Sequence, residues 1–274
     1  MSTLYTYGCS FTKYVWPTWA DYMGKNYAKF VNHGQAGAGN QYILHKLTES
    51  HAKGKITPDV TVAIMWSGIT RYDGWSNGRW QTGGNIYNNK YYTKDFFKYV
   101  DLVGFFIRDC SFIHSAKTIL DSIGCRYIFF SMNPIDHFSE LPRLNYLDKL
   151  SNSITISHYK KLYKETLNSI CPSVFEVIWN KDWYSRTQDL MPDDKDYNFY
   201  RGADWPTLNQ LESNKITEKD IDPLILEEMC NHFAAKNLDH LIKEKLYIPK
   251  DYHPTPEMHL EYLDAVLPDW RTWH

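Results

Sequence analysis

The chain has 274 residues, 43% of them hydrophobic and 23% charged, with a formal net charge of −2, which suits a soluble globular fold with a buried core. It has no Lys/Arg-rich run, which argues against a nucleic-acid partner, and no stretch approaches the roughly 18 apolar residues of a membrane span. The start, MSTLYTYGCSF, has neither a basic region nor a long apolar run, so no secretory leader is read there and a cytoplasmic location is expected.

A first strand, TLYTYG, delivers Gly8-Cys9-Ser10 at its end. WPTWADYMGKNY follows as a helix: Pro17 suits its start, and Trp16, Trp19, Ala20 and Met23 recur at helical spacing. KFVNHG predicts a second short strand running into the glycine loop GQAGAGN. QYILHKLTESHAKG predicts a helix with Ile43, Leu44 and Leu47 on one side and Gly54 as its stop. DVTVAIMW is continuous, apolar and β-branched, the pattern of a strand buried on both faces.

SGITRYDGWSNGRWQTGGNIYNNKYY predicts a polar, aromatic loop, and a loop of that length is functional more often than idle. DFFKYVDLVGFFIRDCSFIHSAKTILDSIG predicts a long amphipathic helix with a break near Gly104. CRYIFFSMNP predicts another buried strand and PSVFEVIW a further one. Strand and helix alternating at this spacing predict βαβ units. The expected fold is a single α/β domain over residues 1–274, a three-layer α/β/α flavodoxin-like sandwich around a parallel sheet. From about 180 to 248 the texture changes to Asp, Trp and Tyr without periodicity, followed by the helix-like LILEEMCNHFAAKNLDHLIKEK. That segment is read as an insertion or lid. The chain returns with DYHPTPEMHLEYLDAVL, whose helix is expected to begin at about Pro256.

The five cysteines, Cys9, Cys110, Cys125, Cys171 and Cys230, are odd in number and widely spaced, with no CxxC. Neither a disulfide framework nor a zinc site is expected, and a reducing compartment fits. The 10 Trp and 21 Tyr furnish either large core and surface side chains or a cleft that stacks on sugars.

In open α/β sheets ligands bind beyond the carboxyl ends of the strands. Ser10, the glycine loop at 34–39, Ser67-Gly68 and Asn133-Pro134 all follow predicted strands, so they are expected at one rim. A serine hydroxyl is a poor nucleophile alone. It needs a base, an orienting partner for that base, and donors aimed at the developing oxyanion. Asp251-Tyr252-His253-Pro254 supplies a candidate base, and Gly34, Gly37 and Gly39 can expose backbone N–H groups.

Each residue also has a plainer use. Ser10 suits a turn or helix N-cap, His253 a loop histidine beside Pro254, Asp251 a cap of the last helix, and the glycines a tight loop. A phosphate cradle is a rival use for GQAGAG, but the loop lacks a Gly-Lys-Ser/Thr ending and Gly-x-Gly-x-x-Gly spacing. Arg71 and Asp73 form either a surface ion pair or a contact to substrate. His33, Asn133 and His137 are read as structural, and no paired ligands at i, i+4 suggest a metal.

Taken in order, these blocks resemble the SGNH (GDSL-type) hydrolase superfamily. GCSFT matches that family's first block, with Ser10 as nucleophile and Cys9 in place of its aspartate. NHGQAGAGN matches the second, with Gly37 in the oxyanion-glycine role, and DYHPTPEMH resembles the last, with His253 as base and Asp251 as orienting acid. The third block reads MWSGITR, and Gly68 stands where the family has an asparagine. One residue separates Asp251 from His253 where the family has two, and a second histidine, His259, follows six residues on.

The resemblance implies an ester hydrolase that needs no cofactor or metal. Its oxyanion donors would be the Ser10 and Gly37 N–H groups, joined by Asn40 or by a backbone N–H at Ser67 or Gly68. The expected substrate is a small-molecule or glycan ester, since the aromatic polar loops at 66–92 and 180–205 suit an acylated carbohydrate. An acyltransferase on the same fold and a non-catalytic glycan-binding or structural member are the alternatives.

Overall fold

A computed structural model describes residues 2–14, 16–86, 92, 96, 101–135, 149–178 and 253–273. The expected insertion at 180–248, its helix, and Asp251 lie outside the described residues. In chain order the strands are β1 (Thr3–Tyr7), β2 (Lys29–Asn32), β3 (Val60–Trp66), β4 (Arg71–Ser76), β5 (Arg79–Asn85) and β6 (Arg126–Ser131). The helices are α1 (Trp19–Gly24), α2 (Asn40–Ala52), α3 (Leu102–Ile123), α4 (Lys149–Leu162), α5 (Lys164–Asn168), α6 (Val174–Ile178) and α7 (Pro256–Val266).

Four strands form a parallel sheet in the order β2-β1-β3-β6. Successive side chains of a strand face opposite sides, and here each side meets its own helices. Leu4, Ala63, Met65 and Phe130 pack with buried residues of α1, α6 and α7. Tyr5, Tyr7, Val62, Ile64, Trp66 and Phe129 pack with α2 and α3. The result is the three-layer α/β/α architecture. The central strand β3 is buried at every residue, which is why its sequence is apolar at every position but Thr61.

Three expectations are corrected. Residues 71–85 are not a loop but an antiparallel hairpin, β4–β5, in which Trp75 faces Trp80. Its turn is Asn77-Gly78, both at positive φ (52° and 74°), the backbone that lets a two-residue turn match strand twist. PSVFEVIW holds a helix, α6, rather than a strand. Glu176 Oε2 accepts from the N–H and Oγ–H of Ser173, while the Glu176 N–H donates to Ser173 Oγ, a reciprocal cap that starts a helix. The helix α3 runs unbroken past Gly104, which falls in its first turn behind the capping carboxylate of Asp101.

Among the described residues no helix is long and apolar enough to cross a membrane.

Candidate active site

The chain leaves β1 through Gly8 and closes at once into a tight turn, in which the Cys9 carbonyl accepts from the N–H groups of Thr12 (2.9 Å) and Lys13 (3.2 Å). Gly8 has to be small: a Cβ there would lie 1.9 Å from Thr12 Oγ1 and 3.0 Å from the Met65 carbonyl oxygen. Ser10 sits in this turn, 4% exposed. Its Oγ is 2.8 Å from His253 Nε2, across 243 residues of sequence.

Aromatic side chains hold the histidine in place. Tyr14 stacks on the His253 ring at 4.0 Å and 11°, and Phe11 meets it edge-on at 5.3 Å. The next residue is fixed as well, since Trp16 Nε1 donates to the Pro254 carbonyl at 2.9 Å. Phe11, Tyr14 and Trp16, next to the serine turn in sequence, therefore form the cradle for the histidine. Two residues further on, Thr255 caps α7.

The second loop is pinned to the first: the His33 N–H donates to the Thr6 carbonyl, and the Gln35 N–H to the Gly8 carbonyl. Gly37 adopts φ 74°, and its carbonyl accepts from the Gly84 N–H of the hairpin. The N–H groups of Ser10 and Gly37 have no acceptor among the described residues, so both remain available to a bound group.

The other expected donors fare differently. The two amide hydrogens of Asn40 are taken by the Ser67 carbonyl (3.0 Å) and Asp109 Oδ2 (2.7 Å). Its Oδ1 in turn accepts from the Ser67 N–H at 2.7 Å. Neither the Asn40 amide nor the Ser67 N–H has a hydrogen left for a substrate. This corrects the expectation for both: they clamp α2 to the end of β3. The Gly68 N–H has no acceptor among the described residues.

The guanidinium of Arg71 spans the rim, with Nη1 donating to the Ala38 carbonyl (3.0 Å) and Nη2 3.5 Å from Met132 Sδ. Asp73 is neither its surface partner nor a substrate contact. It is 2% exposed and accepts from the Gly39 and Tyr42 N–H groups, capping α2 from another element. Burial raises its pKa, with those two hydrogen bonds opposing.

Below the rim lies a charge pair that belongs to none of the sequence motifs. Asp109 is fully buried, bonded to Asn40 and, at 2.7 Å, to Arg108 Nε. Burial pushes its carboxyl up to about 6, against the pull of Arg108 and Asn40. Arg108 Nη2 also donates to the Arg71 carbonyl, and its guanidinium lies 4.2 Å over the Phe105 ring. α2, α3 and the β3–β4 turn are thereby tied together. The signal was an Arg-Asp pair inside the otherwise apolar FFIRDCSF.

His259 lies one turn into α7, 1% exposed and edge-on to Phe11, and its Nδ1 has no hydrogen-bond partner among the described residues. Burial, reinforced by nearby His253, pushes its imidazole down to about 3. The folded protein thus keeps His259 neutral where the unfolded chain, at the ordinary value of 6.5, takes up a proton. Stability is full above 6.5 and falls as pH drops toward 3. At pH 4 the deficit is on the order of 3 kcal/mol, taking 1.36 kcal/mol per unit. A His259→Leu variant should lose markedly less Tm than the parent between pH 7 and pH 4; parallel curves would exclude this origin.

No protein-family model matches the chain, and no curated protein does. Among solved structures, it is similar to a member of the lipolytic G-D-S-L family from Veillonella parvula, at 13% identity and TM-score 0.32, covering 89% of this chain and 100% of that one. It is also similar to a GDSL-like lipase from Bacteroides thetaiotaomicron, at 14% identity and TM-score 0.29, covering 89% and 87%. A third likeness is to an acetyl xylan esterase from Geobacillus stearothermophilus, at 14% identity and TM-score 0.35, covering 66% and 80%. These are likenesses of outline, and the α/β/α architecture described above stands on its own strand order. Two of these solved structures carry the G-D-S-L name of the family whose blocks the sequence resembles.

Proposed function

We propose that the protein is a serine ester hydrolase with Ser10 as nucleophile and His253 as general base. The observation that carries this is the 2.8 Å contact between Ser10 Oγ and His253 Nε2 at the carboxyl rim of the sheet. In the acylation step Oγ bonds to the ester carbonyl carbon while its proton passes to Nε2. The carbonyl oxygen becomes an oxyanion that the Ser10 and Gly37 N–H groups are free to meet. Collapse of that intermediate breaks the bond to the leaving alcohol, which takes the proton back from Nε2. Water then bonds to the acyl carbon as the same nitrogen takes its proton, and the acyl–Oγ bond breaks, releasing the acid while Ser10 Oγ takes that proton from Nε2. Asp251 remains the proposed orienting acid.

An acylated carbohydrate is the substrate class that suits the rim best. Trp75, 63% exposed, stands on the hairpin that backs Gly37, and an exposed indole face is a stacking platform for a sugar ring. The test is turnover of p-nitrophenyl acetate and of an acetylated xylo-oligosaccharide by the parent and by Ser10→Ala. The parent should hydrolyse both and the variant neither. Equal rates in the two proteins would end the proposal.

A further inference from the structure

We propose that Asn133 is a further catalytic residue: its side-chain amide supplies an oxyanion donor from the end of β6. This assignment rests on the esterase reading of Ser10 and His253. Among the described residues three backbone N–H groups at the rim, those of Ser10, Gly37 and Gly68, have no acceptor. A side-chain N–H₂ aimed at the same point would add a further donor, and one such donor is worth on the order of 10²–10³ in rate.

Position brings Asn133 there. β6 lies beside β3, which lies beside β1, all parallel, so the residues just past their ends share one rim. The residue before Asn133 is fixed through both of its backbone groups. The Met132 N–H donates to the Trp66 carbonyl, and the Met132 carbonyl accepts from the Phe175 N–H. Met132 Sδ is 4.0 Å from Cys9 Sγ and 3.5 Å from Arg71 Nη2. The neighbours of Asn133 and Ser10 in sequence are therefore in contact, and the Arg71 guanidinium joins both to the glycine loop through Ala38.

Orientation completes the case. Asn133 Nδ2 lies 3.2 Å from where a Cβ on Gly68 would stand, so the amide leans into space that only a glycine leaves open. Nδ2 makes no hydrogen bond among the described residues, and Oδ1 is enclosed without a donor there. Reversing the amide would enclose two N–H donors instead of one carbonyl oxygen. That is the worse outcome, since orphaned buried N–H groups are the rarer kind. The amide therefore presents its donor end to the Gly68 side of the cleft, and that donor is uncommitted.

The experiment measures kcat and KM for p-nitrophenyl acetate in the parent, Asn133→Ala, Asn133→Asp and the double variant Asn133→Ala/Gly68→Asn, with Ser10→Ala as background and thermal unfolding as the fold control. Asn133→Ala should lower kcat on the order of 10²–10³ with KM little changed. Asn133→Asp, of the same shape but without the donor, should lose at least as much, so the result does not hang on one variant's folding. Moving the asparagine to position 68 should recover part of the loss, which a merely structural residue would not do. Unchanged kcat in both single variants, with turnover still dependent on Ser10, overturns the assignment and leaves the esterase reading standing. A parent without Ser10-dependent turnover overturns both.

Discussion

His253→Ala is expected to lower kcat toward ester substrates on the order of 10⁶, with no matching loss of Tm. A serine hydroxyl is almost entirely protonated at neutral pH. Its attack on a carbonyl therefore depends on a base that takes the proton as the bond forms. Nε2 of His253 stands 2.8 Å from Oγ, within the range for direct transfer. The ring cannot turn away freely, because Tyr14 covers one face at 4.0 Å and Phe11 abuts it. Removing it leaves only the donors that meet the oxyanion. Because nucleophile and base act as one unit, Ser10→Ala/His253→Ala should be no slower than either single variant. Steady-state kinetics on the three proteins check this. Additive losses, or a His253→Ala protein that keeps most of its rate, would separate the two residues.

The second large effect is expected at Gly37. Its φ of 74° is one that L side chains adopt only with strain, and a Cβ there would lie 2.3 Å from the Thr82 carbonyl oxygen, a backbone atom that cannot swing aside. Gly37→Ala should therefore displace the hairpin or the loop, with a stability loss of about 2–4 kcal/mol and a fall in kcat together. Gly54 is the control. Its φ is 64°, but nothing lies within 4 Å of a Cβ there, so Gly54→Ala carries only the conformational cost of about 1 kcal/mol and leaves kcat alone. Urea unfolding and turnover on the two variants compare these terms directly. Equal stability losses would mean that the hairpin contact matters little.

That contact also shows what a linear reading can and cannot reach. β3, the turn after β1 and the start of α7 were legible because each is specified locally: a run apolar but for Thr61, a glycine before a serine, a Pro after a Thr cap. The rim itself was predictable from strand order. The hairpin went unread although Asn77-Gly78 announces it, because the length and polarity of the segment outweighed a two-residue signal. α6 was missed in the same way, its Ser173–Glu176 cap hidden by the β-branched Val174, Val177 and Ile178.

Other features could not be read because they join distant elements. The place of Asn40 after the glycine loop suits a donor, but its amide hydrogens are spent on Ser67 at the end of β3 and on Asp109 of α3. Asp73 caps a helix 31 residues earlier. Tyr14 and Trp16 carry no motif, yet they hold the His253 loop from the far end of the chain.

The central claim is that Ser10 is an activated nucleophile. Its most direct test is to treat the protein with a fluorophosphonate and locate the adduct by peptide mass spectrometry. A single phosphonylated residue, Ser10, with labelling lost in His253→Ala, is the predicted result. An unmodified protein, or an adduct on another residue, would contradict it.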